Sequence, residues 1–67
     1  MKDFIKINEE RVRKSTIKKY QPFGTLRLNV YFNVSRYKIE VEMFDFRTTE
    51  ERDSVVELLD IEFGITN

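Results

Sequence analysis

The chain has 67 residues, with twelve Lys/Arg balanced by twelve Asp/Glu, nine aromatics, and neither Cys nor His. A chain this short buries only about 60% of the surface exposed when unfolded, so a single domain over residues 1–67 with a small core is expected. The missing Cys and His exclude disulfides and the usual zinc ligand sets, and remove the commonest thiol nucleophile and imidazole base.

The opening Met1-Lys2-Asp3-Phe4-Ile5-Lys6 has no apolar run of signal-peptide type, and no stretch nears the roughly 20 apolar residues of a membrane span. A cytoplasmic protein is the expectation. Many Phe, Ile, Asn, Lys and Tyr, with no Ala, point to an AT-rich coding genome, that of a low-GC bacterium or its phage.

In chain order, Phe4-Ile5-Lys6-Ile7-Asn8 reads as a short strand with Ile5 and Ile7 inward. Residues 11–20 keep no clean period. As a strand they place Val12 and Ile17 on opposite faces, which demands a bulge near Lys14-Ser15. As a helix they have Asn8 as cap and Glu9-Glu10 early, but only a thin apolar stripe of Val12, Thr16 and Tyr20, so the bulged strand is favoured. Gln21-Pro22-Phe23-Gly24 has Pro second and Gly fourth, as in a type I turn, and sets Phe23 at its tip.

Two alternating runs follow. Leu26, Leu28, Val30, Phe32 and Val34 interleave with polar residues, as do Tyr37, Ile39, Val41 and Met43. Period-2 alternation predicts two strands with one buried face each. Pairing Phe32 with Tyr37, Val30 with Ile39 and Leu28 with Val41 keeps both apolar sets on one face, with Asn33–Arg36 as the loop. That register sets Arg27 opposite Glu42, Asn29 opposite Glu40 and Tyr31 opposite Lys38 outside. Phe44-Asp45-Phe46 breaks the pattern.

The last element is the clearest. Thr48-Thr49-Glu50-Glu51 is a capping box, Val55, Val56, Leu59 and Phe63 recur at helical spacing, and Gly64 with Ile65 is a C-terminal stop. A helix over 49–63 follows. The predicted fold is α+β: a small antiparallel β-meander of three to four strands with one C-terminal α-helix packed on one face. Its predicted core is Ile5, Ile7, Leu26, Leu28, Val30, Phe32, Ile39, Val41, Met43, Val55, Val56, Leu59 and Phe63.

Chemistry-bearing patterns are sparse. Ser15, Ser35 and Ser54 have no histidine to activate them, and Gly24 and Gly64 are accounted for by a turn and a cap. Glu40 and Glu42 read as a solvated strand face. No enzyme, metal, cofactor or small-molecule substrate is expected. The charge distribution is more telling: residues 1–38 carry ten basic side chains against three acids, and residues 39–67 two against nine. Such asymmetry marks an interaction surface or two halves that neutralise each other within one fold.

Binding is the function that remains, and the expected surface comprises Phe23, Arg27, Tyr31, Arg36, Lys38 and Ile61. Phe23 at a turn tip and Ile61 on the polar side of the helix favour a protein-interaction or accessory module of a phage or mobile element. Asp60 and Glu62 oppose the helix dipole and call for a basic neighbour or partner. Self-association as a homodimer is expected from the small core and open sheet face. The alternative is a single-stranded nucleic-acid binder using Arg27, Tyr31 and the basic residues near them.

Overall fold

Five strands and one helix make up residues 3–65, the part described by the computed structural model. Strands β1 (Phe4–Ile7) and β2 (Glu10–Arg13) form a two-stranded hairpin. Strands β3 (Ile17–Phe23), β4 (Arg27–Ser35) and β5 (Lys38–Asp45) form a three-stranded antiparallel meander in the order β3-β4-β5. Helix α1 spans Thr49–Glu62. The α+β architecture is the one the periodicities predict.

The ambiguous stretch at 11–20 is neither one bulged strand nor a helix. A 3-10 turn at Lys14–Thr16 divides it between the two sheets, at the place where the bulge is expected. Asp3 holds this turn: its carboxylate accepts from the Ser15 amide and hydroxyl, each at 3.2 Å, and its carbonyl accepts from the Lys14 amide. Asn8 closes the β1–β2 hairpin at φ 56, a left-handed value Asn tolerates better than most residues. The Asn8 amide also donates to the Asp45 carbonyl at 3.1 Å, pinning the hairpin tip to the end of β5.

The turn expected at 21–24 lies further along the chain. Pro22 and Phe23 are strand residues paired with Leu28 and Arg27, and Gly24 begins the turn at φ 64. Pro22 is tolerated because β3 is an edge strand with no ladder partner on its far side.

The β4–β5 register is the main departure from the sequence reading. Leu28 lies opposite Phe44, Val30 opposite Glu42, Tyr31 opposite Val41 and Phe32 opposite Glu40. The connection is the tight turn Arg36-Tyr37, with a register shift between Asn33 and Ser35. The net slip is odd, and an odd slip moves every side chain of a strand to the other face. Ile39, Val41 and Met43 therefore leave the predicted core, and Phe44 and Phe46 replace them. The expected pairs Arg27–Glu42, Asn29–Glu40 and Tyr31–Lys38 do not form. Arg27 instead bonds Asp45 at 2.7 Å.

One apolar core results. The hairpin gives Ile5, Ile7 and Val12, the meander and the segment following it Ile17, Leu28, Val30, Phe44 and Phe46, and α1 gives Leu59, with Tyr20, Phe32, Val55 and Val56 packed around them. Leu26, placed in the core by alternation, is exposed in the β3–β4 turn, and Phe63 lies at the margin. The hairpin and α1 together cover the inner face of the meander. The outer face has no cover among the described residues.

The Thr48 half of the predicted capping box and the predicted C-terminal stop are both present. The Thr48 hydroxyl accepts from the Glu51 amide at 3.1 Å. At the other end Gly64 at φ 71 permits paired bonds from its own amide to Ile61 and from the Ile65 amide to Asp60. Arg52, in the first turns, is unexpectedly buried. Its Nη1 donates to the carbonyls of Gly24 and Arg27, at 3.3 and 3.1 Å, and Thr49 adds a bond to the Thr25 carbonyl at 3.0 Å. The start of α1 is thereby clamped to the β3–β4 turn.

Candidate docking face on the open side of the sheet

Strand parity assembles the outer face. The β3–β4 pairs Lys19–Tyr31, Gln21–Asn29 and Phe23–Arg27 fall on one side, and the β4–β5 register adds Ile39, Val41 and Met43 to that side. The apolar members are open to solvent: Ile39 at 46%, Val41 at 49%, Met43 at 58% and Phe23 at 59%. Ile39, Val41 and Met43 adjoin along β5, whereas Phe23 lies two strands away on β3 with Arg27 and Asn29 between. Single exposed apolar residues are ordinary, but adjoining ones on one face make a candidate contact surface.

Polar groups frame this apolar strip. Lys19 Nζ lies 4.7 Å from the Tyr31 ring centroid, a cation–π contact that holds the lysine over the face. Lys18, Lys19, Tyr31, Ile39 and Val41 line a shallow depression of about 320 Å³. At the other end the Arg27 guanidinium is occupied by Asp45 and reaches the Met43 sulfur at 3.7 Å. Asn29, in the centre of the middle strand, has its side-chain oxygen shielded and without a hydrogen-bond partner.

Of the residues singled out from the sequence, Phe23, Arg27 and Tyr31 come together here. Arg36 sits at the β4–β5 turn. Lys38 bridges to Glu40 at 3.4 Å at the start of β5. Ile61, 69% exposed, lies on the solvent side of α1, across the molecule from the open sheet face. Sequence reasoning missed Ile39, Val41 and Met43 as surface residues. The signal for them was Phe44-Asp45-Phe46: taking both Phe side chains inward turns Ile39, Val41 and Met43 outward.

The two acids near the end of α1 find a basic and a hydroxyl neighbour inside the fold. Lys14 Nζ meets Glu62 at 3.1 Å, and the Tyr20 hydroxyl donates to Asp60 at 2.6 Å. The unfavourable position of these acids near the helix C-terminus is thus offset internally. Tyr20 lies in a cleft of about 460 Å³ between β3 and α1, beside Val56 and Phe63. Burial, then the bond to and charge of Asp60, push its hydroxyl up to about 12, so it stays a donor at neutral pH.

A second unusual group is Glu42, which the register slip turns to the inner face. It is half-buried and faces Glu10 of β2 across the cleft beneath the hairpin. Burial, then the hydrogen bond to Glu10 and its charge, push the Glu42 carboxyl up from 4.5 to about 7. The native state therefore holds a proton that the unfolded chain releases. Its stabilising contribution is full below about pH 4.5 and is lost as pH rises through 7. Solvent screening limits the effect to about 1 kcal/mol. Urea midpoints at pH 5 and pH 8 test this: Glu42→Gln should lose less stability across that interval than the wild type. Equal losses would contradict the shared proton.

Among the described residues no three His, Cys, Asp or Glu side chains gather closely enough to hold a metal ion, and no helix is long and apolar enough to cross a membrane. Set against known proteins, the chain matches no family model, no curated protein and no solved structure.

Proposed function

We propose that this chain is a non-enzymatic protein-interaction module of the cytoplasm, an accessory protein of bacterial or phage origin, whose working surface is the open face of the β3-β4-β5 sheet. The observation that carries this reading is the exposed strip of Ile39, Val41 and Met43, with Phe23 exposed further across the same face, which neither the hairpin nor α1 covers. A partner covering it removes apolar area from water at roughly 25 cal/mol per Å². Lys18 and Lys19 at its border favour a partner of acidic character. Self-association, including a homodimer, is the simplest form of such binding.

A single-stranded nucleic-acid binder remains the second reading. It is favoured by the placement of Lys18, Lys19 and Tyr31 together on a face from which Glu40 and Glu42 are absent. The two readings separate in one experiment. Fluorescence anisotropy with short DNA and RNA strands at low and moderate salt should show no binding, because the strip is mainly aliphatic and Lys19 already covers one side of the Tyr31 ring. Salt-sensitive binding lost with Tyr31→Ala would overturn the protein-docking reading. Val41→Lys and Met43→Lys should fold normally yet abolish capture of any protein partner.

A further inference from the structure

We infer that the open sheet face of one copy receives the solvent side of α1 from a second copy, so that the chain assembles head to tail. This deepens the docking reading above and rests on it.

Complementary charge and shape lie on opposite sides of one molecule. The sheet face holds Lys18 and Lys19 around its depression. The acid on that face, Asp45, is taken by Arg27. A two-fold pairing of this face with itself would offer Lys18 and Lys19 no free acid. The matching surface lies on α1. Leu59, Val55 and Val56 turn inward, so Glu50, Ser54, Glu57, Leu58 and Ile61 point away from the core. No basic side chain shares that side of the helix. Leu58 and Ile61 are exposed there at helical i,i+3 spacing, and Glu57 stands one turn before Ile61.

Seated on the sheet face, Ile61 would fill the depression between Tyr31, Ile39 and Val41 while Glu57 meets the lysines at its rim. The helix and the open sheet face occupy opposite sides of the meander. A contact between them is therefore heterologous and repeats from copy to copy, giving a ring or an open chain rather than a closed pair.

The test is sedimentation of the full chain across tens to hundreds of micromolar, using two variants at exposed positions, Val41→Lys on the sheet and Ile61→Lys on the helix. Wild type should grow beyond a dimer with concentration, and less so at high salt. Each variant alone should associate about tenfold more weakly. Mixed together, they should form a one-to-one dimer, because each retains the surface the other has lost. Thermal melts check that both variants fold. A single species at 8.1 kDa at every concentration overturns the inference, as does a mixture that fails to dimerise. A closed dimer lost in Val41→Lys but kept in Ile61→Lys overturns the helix contact and leaves the docking face standing.

Discussion

Replacing Phe44 by Ala is expected to leave the domain largely unfolded at room temperature, whereas replacing Met43 by Ala is expected to leave it folded. The two residues are neighbours on β5 with opposite fates: Phe44 is buried against Leu28, and Met43 projects from the uncovered side. Removing a buried Phe side chain costs about 3–5 kcal/mol, from lost transfer energy and the cavity left behind. A single core of this size supplies a net stability of only about 3–5 kcal/mol. Leu59→Ala, at a fully buried position, should be nearly as damaging, at about 2–5 kcal/mol. Met43→Ala should cost under about 1 kcal/mol, since its side chain is already in water. Urea denaturation followed by far-UV circular dichroism measures all three. A native melt for Phe44→Ala beside an unfolded Met43→Ala would restore the register that simple alternation predicts.

The second large effect is expected at Arg52. Its guanidinium is buried at the start of α1, where the helix dipole disfavours a cation, so its bonds to the β3–β4 turn must outweigh that placement. Arg52→Met keeps most of the aliphatic stem but leaves the Gly24 and Arg27 carbonyls without this donor. Loss of charge-assisted hydrogen bonds in a part-buried setting costs about 1.5–3 kcal/mol. Arg52→Lys should recover only part of it, because the guanidinium bonds both carbonyls through Nη1 while Nε bonds Asp53 at 2.8 Å, and a single ammonium cannot stand in both places. Arg36→Met, in the exposed β4–β5 turn, is the control and should shift the urea midpoint negligibly. Equal midpoints for Arg52→Met and wild type would show that the clamp contributes nothing.

What could be read in advance follows a physical divide. α1 was legible because its signals are local: Thr48 before Glu51, apolar residues at helical spacing, Gly64 at the stop. β1, β4 and β5 were legible as strands for the same reason, whereas β2 and β3 were not, because the 3-10 turn at Lys14–Thr16 divides a stretch without a clean period. The pairing of β4 with β5 was not, because it depends on one extra residue near Val34 and a tight Arg36-Tyr37 turn lacking the usual Asn-Gly chemistry. Alternation reports which residues share a face, and does not say which face is covered. With two apolar sets in β5, Ile39-Val41-Met43 and Phe44 with Phe46 just beyond, the larger aromatic side chains went inside. The outer face was therefore read with Arg27, Asn29 and Tyr31 of β4 on it, where they stand, but with Lys38, Glu40 and Glu42 of β5 in place of Ile39, Val41 and Met43. Arg52 was invisible because a buried Arg needs acceptors from Gly24 and Arg27, far away in sequence.

Lys14 has a consequence for how this domain can be joined to other polypeptides. Its backbone amide bonds the carbonyl of Asp3 and its side chain reaches Glu62, near the end of α1. Positions 3 and 62 thus converge on one residue, on the helix-covered side of the meander. A polypeptide entering before Asp3 and continuing beyond Glu62 would enter and leave on the same side of the meander, within the reach of one lysine side chain, a geometry that favours insertion into a surface loop of a host protein or permutation of the chain. In either arrangement the strip of Ile39, Val41 and Met43 would point away from the junction, free to meet whatever approaches from the far side.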